Sequence, residues 1–295
     1  MIHVNDMIYE GRIFRPPSEA NSLIIQSTIG CSHNRCAFCS MYKEKQFRIR
    51  PVVDVLNDFA MAHKYYGRIP RVFLADGDAF MRNAGQQLEL LSGIKSILPE
   101  CERITCYASP KSIAVKTDAE LDALCAAGLD MIYLGLESGS DNVLSRINKG
   151  CTVQEIVTAA QRAKRAGLRL SVTAILGLGG CKLSVEHAIL TASALSLIKA
   201  DYIGLLSLML ESGTPLYYDH EHGAFDLLSA EQMLLELRSI LLNIDSEKSV
   251  FRANHASNYI NLAGTLNADR ETLIKKLDVA LYTGKSIKDE CLRGL

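Results

Sequence analysis

Cys31, Cys36 and Cys39 are spaced C-x4-C-x2-C in the run Gly-Cys-Ser-His-Asn-Arg-Cys-Ala-Phe-Cys-Ser. Thiols held this close, on a loop too polar to be core, make sense as ligands to one soft metal centre. Structural zinc closes with four ligands, so three cysteines suffice only if His33 or a distant cysteine joins them. An iron–sulfur cube held by three thiolates instead leaves one iron open, and an open coordination position marks a catalytic centre. Unligated thiols are the third reading. The chain has nine cysteines, an odd number, which argues against a disulfide framework in a reducing compartment. Cys101, Cys106, Cys125, Cys151, Cys181 and Cys291 sit scattered in apolar or helical surroundings and read as small packing residues.

The elements that must carry this loop alternate between two periodicities. Strands are expected at Ser22–Thr28, Arg71–Ala75, Arg103–Ala108, Met131–Leu136, Arg169–Leu176 and Tyr202–Met209, with amphipathic segments between them. In Thr152–Ala166, Val153, Ile156, Val157 and Ala160 fall on one helical face. Capping boxes open helices at Thr117 with Glu120, Thr152 with Glu155 and Ser229 with Gln232. Gly128 and Gly167 stand where helices end. Strand–helix alternation of this kind gives a parallel sheet with right-handed crossovers. Six strands predict an α/β fold, a partial (β/α)6 barrel with a C-terminal extension; a doubly wound open sheet is the rival. The expected division is an N-terminal segment 1–20, the barrel 21–245, and a C-terminal extension 246–295 with two helical stretches. The cysteine loop joins the first strand to the first helix, the end of such a fold that faces ligands.

Composition narrows the function. The 295 residues are 48% hydrophobic, enough for a sizeable core, and Lys+Arg of 32 against Asp+Glu of 33 leaves a net charge of −1. No global field draws nucleic acid or an anionic membrane. No run of about 18 uncharged apolar residues predicts a membrane span, and the charged, proline-broken N-terminus does not read as a signal peptide. The chain is expected in the cytoplasm.

The cysteine loop, Phe38 ahead of its last cysteine, and motifs at later strand ends resemble the radical SAM superfamily over roughly residues 20–245. The common superfamily spacing has one residue fewer between the first two cysteines. The resemblance implies that Cys31, Cys36 and Cys39 hold a 4Fe–4S cluster whose fourth iron chelates S-adenosylmethionine. One electron then cleaves the sulfonium to methionine and a 5′-deoxyadenosyl radical, which abstracts hydrogen from a substrate. Among superfamily members, the motif pattern is most similar to the oxygen-independent coproporphyrinogen III oxidase-like, cobalamin-type group.

The same resemblance distributes further cofactor contacts. Ala75-Asp76-Gly77-Asp78 stands where the superfamily carries Gly-Gly-Glu at the methionyl ammonium. Asp78 matches the Glu, Gly77 lets backbone approach, and Asp76 replaces a glycine; a helix-capping role for the aspartate is the plain alternative. Glu137, in Leu-Gly-Leu-Glu-Ser-Gly, corresponds to a residue reaching the ribose or methionyl end. Tyr107 replaces a ribose-binding Glu, so Ser109 is the polar contact expected there. Thr173 and Gly177 lie on the adenine-binding strand end, Leu208 on the apolar strand that flanks the base, and Lys164 aligns with a cation for the methionyl carboxylate.

Substrate contact is expected from the polar patch Arg252, Asn254, His255 and Asn258. The basic segment with Lys43, Lys45, Arg48 and Arg50 could dock a flavodoxin or ferredoxin-type electron donor. No second cysteine group has cluster spacing, and no basic RNA-binding module is evident, so a small-molecule substrate is expected. Two rivals stay open: a zinc-stabilised Cys3His binding module without redox chemistry, and an ordinary barrel lyase in which the cysteines are incidental.

Overall fold

The computed structural model describes residues 9–294, so residues 1–8 of the expected N-terminal segment lie outside the described residues. The chain runs β1 (Leu23–Gln26), β2 (Thr28–Ile29), β3 (Arg48–Ile49), α1 (Val52–Tyr66), β4 (Arg71–Ala75), α2 (Ala84–Ile97), β5 (Arg103–Ala108), α3 (Pro110–Ala114), α4 (Asp118–Ala126) and β6 (Leu129–Glu137). It continues with α5 (Asp141–Arg146), α6 (Val153–Arg165), β7 (Arg169–Leu176), α7 (Gly180–Ile198), β8 (Tyr202–Ser207), α8 (Pro215–Glu221), α9 (Ala230–Asn243), β9 (Val250–Ala253), β10 (Leu262–Thr265) and α10 (Arg270–Thr283). Two compact units emerge. One holds the chain up to Asn34, Met41–Leu134 and Ala159–Leu170; the other holds Arg35–Ser40, Gly135–Thr158 and the chain from Ser171. The division passes through the cysteine loop, β6, α6 and β7.

In the first unit β1, β4, β5 and β6 lie side by side in parallel, with Ile24 opposite Phe73, Phe73 opposite Thr105, and Thr105 opposite Met131. Every residue of β4 after Arg71 is buried, the continuous apolar run expected of a strand covered on both faces. The short antiparallel ladder of β2 and β3 pairs Thr28 with Ile49 and Ile29 with Arg48, bringing together the two flanks of the cysteine segment. Glu19, fully buried in a 3-10 turn, accepts hydrogen bonds from Arg103 Nη2 at 2.8 Å, Thr105 Oγ1 at 3.0 Å and the Tyr133 hydroxyl. A buried carboxylate needs such partners.

In the second unit β7, β8 and β9 are parallel neighbours and β10 returns antiparallel to β9. Along β7, Val172, Ala174 and Leu176 are buried while Ser171, Thr173 and Ile175 on the other face stay partly open. Helix α9 packs on α7 and α10. By length and composition α7 could cross a membrane; in this unit it is a packing helix that buries His187 and Thr191.

Parallel strands alternating with helices give the α/β, partial-barrel class that the sequence predicts, and its six strands are β1 and β4 to β8. The capping boxes at Thr117 and Ser229 form, and Thr152 exchanges the same bonds with Glu155. Gly128 and Gly167 take positive φ of 99° and 87° behind α4 and α6. The segment after residue 245 differs from the expected pair of helical stretches. It opens with β9 and β10, followed by α10 and a 3-10 turn at Glu290–Leu292. The cause is local: Phe251 and Ala253 point inward while Arg252 faces out, a strand alternation only four residues long that the polar patch behind it obscures in the sequence.

Candidate functional site

In the first unit the expected contact residues gather around the exit of β4. Gly77 donates its N–H to the Gly30 carbonyl at 3.1 Å. A Cβ added at Gly77 would lie 2.6 Å from the Tyr42 ring and 3.0 Å from the Cβ of Cys31, so only glycine lets the β4 exit lie against the first cysteine. Asp78 is fully buried. It accepts from the Ser32 hydroxyl, from Ser109 N at 3.1 Å and from Ser109 Oγ at 2.7 Å. Burial pushes its carboxyl above the ordinary range, with bonds from Ser32, Ser109 and Ser112 opposing. The Asp78 side chain makes no capping bond to the turn that follows it; only its backbone carbonyl does, accepting from Met81 N at 3.1 Å. Ser109 also caps α3 in a box with Ser112. Two expected contact residues, Asp78 and Ser109, are thus bonded to each other and to the cysteine loop.

Asp76, likewise buried, points its Oδ2 to Gln26 Nε2, Gly30 N and Lys45 Nζ, at 2.9, 3.0 and 2.9 Å. Lys164 is half-buried near the end of α6. Its neighbour Arg162 donates to Asp118 and to the carbonyls of Ile113 and Lys116.

The second unit carries Cys36, Phe38 and Cys39, all half-buried. Cys39 N donates to Cys36 O at 3.3 Å, and Ala37 is fixed by bonds to Ile147 and Leu216. Lys149 interacts electrostatically with Cys36 and pairs with Glu137 at 2.8 Å. Burial pulls the Lys149 ammonium down, but Glu137 and Cys36 outweigh it and hold it above the ordinary lysine value. Glu137 ends β6 with φ of 61°, a left-handed conformation that costs free energy in a non-glycine residue and clusters at functional sites. Its carboxylate folds back over Gly135, where a Cβ would lie 2.0 Å from Glu137 Oε1.

At the end of β7, Gly177 has φ of 80°, and a Cβ there would stand 3.7 Å from the Leu208 Cβ. Leu208 N bonds Leu176 O at 2.9 Å. Thr173, on the open face of β7, pairs with Gly204. The Gly177 amide is held at 2.6 Å by Glu236 Oε1, whose Oε2 takes the Ser184 hydroxyl. Burial pushes the Glu236 carboxyl up to about 7. Beside it His187, fully buried, donates from Nε2 to Ile175 O and accepts at Nδ1 from Ser138; burial pulls it down to about 4. Sequence reasoning missed Glu236 and His187. The signal was there, because Glu236 shares an apolar helical face with Met233, Leu237 and Ile240.

The polar patch is split. Asn258 is buried, and its amide is committed to Leu205 O at 2.8 Å and Ser207 Oγ at 2.9 Å. Arg252 and Asn254 are exposed. His255 is half-buried and bonded to Ser257; burial and Lys288 hold it below the ordinary histidine value. The basic segment is not a uniform surface. Lys45 turns inward to Asp76 and Arg50 to Asp58, leaving Lys43 and Arg48 outside, the latter paired with Glu10. No disulfide joins cysteines among the described residues. Among the described residues no three His, Cys, Asp or Glu side chains converge as a ready-made metal site, so the ligand assignment rests on spacing and family.

The chain matches the Radical SAM superfamily over residues 25–191, more than half its length, and belongs to that family. It is a radical SAM enzyme, of a family that works with a 4Fe–4S cluster and S-adenosylmethionine. Membership leaves the zinc-stabilised module without support. It is 25% identical over 172 residues to the 4′-phospho-dehydrooxetanocin synthase of Priestia megaterium, covering 52% of this chain and 23% of that protein. With the heme chaperone HemW of Bacillus subtilis it shares 24% identity over 212 residues, 68% of this chain and 54% of that one. The chain thus spans from under a quarter to about half the length of these relatives. Coproporphyrinogen III oxidase (HemN) from Escherichia coli has the same fold, with a TM-score of 0.57 at 17% identity, over 75% of this chain and 51% of that one.

Proposed function

We propose that Cys31, Cys36 and Cys39 are the ligands of the family's cluster and that the enzyme abstracts hydrogen from a small-molecule substrate. The observation that carries this reading is the junction after β4, where Gly77 stands so close to Cys31 that a side chain would collide with it. The first cysteine and the glycine expected at the methionyl end of S-adenosylmethionine are therefore neighbours. The donor set suits the group: three half-buried cysteines outside any disulfide on one loop, one of them interacting electrostatically with the Lys149 ammonium. When bound, a 4Fe–4S cluster supplies the electron that cleaves S-adenosylmethionine to methionine and the hydrogen-abstracting 5′-deoxyadenosyl radical.

The chain's own residues bind and orient. Gly77 offers backbone, and Asp78 with Ser109 keeps the β4 and β5 exits fixed beside it. Glu137, held by Lys149, presents a carboxylate toward the ribose or methionyl end, and Lys164 supplies the cation for the methionyl carboxylate. Thr173, Gly177 and Leu208 make a mostly apolar surface for the base, with Phe38 next to the last cysteine. Arg252, Asn254 and His255 face the substrate, while Asn258 supports them by holding the end of β8. The reductant is a flavodoxin or ferredoxin-type protein, met through Lys43 and Arg48, and the setting is the cytoplasm.

Anaerobic reconstitution tests the reading. The wild-type chain should turn brown, bleach with dithionite, and release 5′-deoxyadenosine from S-adenosylmethionine; Cys36→Ala should lose both colour and release. A colourless reconstituted protein, or a Cys36→Ala variant that keeps its iron, overturns the assignment.

A further inference from the structure

We propose that Asp76 is the clamp of the cysteine loop, a positioning residue that grips both ends of the segment instead of touching the cofactor. The inference rests on the reading of Cys31, Cys36 and Cys39 as the cluster loop. Asp76 and the Lys45 side chain are 0% and 7% exposed, and their charges meet at 2.9 Å. The same Oδ2 accepts the N–H of Gly30, the residue immediately before Cys31, at 3.0 Å and the amide of Gln26 at 2.9 Å. Lys45 lies beyond Cys39, so one carboxylate oxygen joins the entrance of the loop to its exit.

The backbone is stitched at the same place. Asp76 N donates to Thr28 O, and Gly77 N to Gly30 O, each at 3.1 Å. Gly30 has φ of 74°, and a Cβ there would press 3.2 Å from the Lys45 Cβ, so loop entrance and lysine stem are in close packing. Lys45 Nζ further donates to Arg12 O at 2.5 Å, and Asn34 Nδ2 reaches Tyr42 O at 2.7 Å inside the loop. An exposed ion pair would add little. A buried pair is different, because removing one partner leaves the other charge uncompensated. Two departures from the common superfamily pattern meet here: an aspartate in place of a glycine at 76, and a loop one residue longer between its first two cysteines.

The test uses the reconstituted enzyme and its Asp76→Asn, Lys45→Met and doubly substituted forms, with Cys36→Ala alongside. The readouts are the rate at which excess chelator bleaches the visible band and the electron paramagnetic resonance spectrum of the reduced cluster. Each single substitution should bleach about tenfold faster than wild type, which corresponds to ~1.4 kcal/mol of lost closure. The double form should bleach no faster than either, because both changes remove the same grip. The spectrum should broaden in both single variants even where the thermal midpoint is that of wild type. If Asp76→Asn does not fold, Lys45→Met carries the test alone, since it leaves the bonds to Gln26 and Gly30. Bleaching at the wild-type rate in the singly substituted forms, with Cys36→Ala devoid of iron, overturns the clamp and leaves the cluster reading standing. Iron retained by Cys36→Ala overturns both.

Discussion

Glu236 and His187 make opposite demands on stability as pH changes, and replacing one should expose the other. Glu236 is 3% exposed and His187 0%, with His187 Nε2 3.6 Å from Glu236 Oε1. Burial lifts the glutamate from its ordinary 4.5 to about 7 and drops the histidine from 6.5 to about 4. Between pH 4.5 and 7 the folded chain keeps a proton on Glu236 that the unfolded chain has released, so this group's contribution falls as pH rises. Between pH 6.5 and 4 the unfolded chain protonates the histidine and the folded chain does not, so stability falls as pH drops. At 1.36 kcal/mol per tenfold, each effect is worth about 3 kcal/mol across its window. They nearly cancel from pH 4.5 to 6.5 in the wild type.

Glu236→Gln keeps an acceptor for Gly177 N–H and can donate to Ser184 in place of accepting, yet no longer titrates. Relative to wild type it should gain about 3 kcal/mol as pH rises from 4.5 to 7. His187→Gln should change in the opposite sense, losing its advantage over wild type as pH rises from 4 to 6.5. Urea unfolding followed by far-ultraviolet circular dichroism at several pH values measures both differences, and every other titrating group cancels in the subtraction. If the two residues instead form an ion pair, Glu236→Gln loses several kcal/mol at neutral pH by stranding a buried imidazolium. That result would refute the neutral-pair reasoning.

Two further outcomes follow from contacts already described. Gly77→Ala forces a Cβ to within 2.6 Å of the Tyr42 ring and 3.0 Å of Cys31; it should cost about 1–3 kcal/mol and lower the iron retained after reconstitution, measured by thermal melting and iron content. Asn258→Ala strands the Leu205 carbonyl and the Ser207 hydroxyl. It should cost about 2 kcal/mol, and a urea midpoint equal to wild type would contradict its supporting role.

Much of the fold was legible because its signals are local. The runs Arg71–Ala75, Arg103–Ala108 and Arg169–Leu176 are strands residue for residue, and the capping boxes announce helix starts within four positions. What stayed hidden was direction. Lys43, Lys45, Arg48 and Arg50 read as one basic segment, but a charge count does not say which side chains turn inward. The clue lay elsewhere in the sequence: Asp58 sits on the buried face of α1 with Val55, Phe59 and Ala62, and an isolated carboxylate there requires a partner. Arg50 is that partner, at 2.7 Å. Glu236 on α9 posed the same question, and its answer, the Gly177 amide, is 59 positions away.

The buried carboxylates share a further logic that no local pattern could reveal. Asp76 takes the N–H of Gly30, Asp78 that of Ser109 and Glu236 that of Gly177. These three amides belong to the residues immediately after β2, β5 and β7, where a ladder ends and a backbone donor loses its regular partner. Burying a carboxylate is costly unless it is hydrogen-bonded, so each is favoured only while the strand exit holds its position. The arrangement therefore converts a desolvation penalty into rigidity at strand ends. Two of these exits, those of β5 and β7, are ends of parallel strands, which in an α/β fold present the ligand-binding loops, and cofactor binding depends on such support.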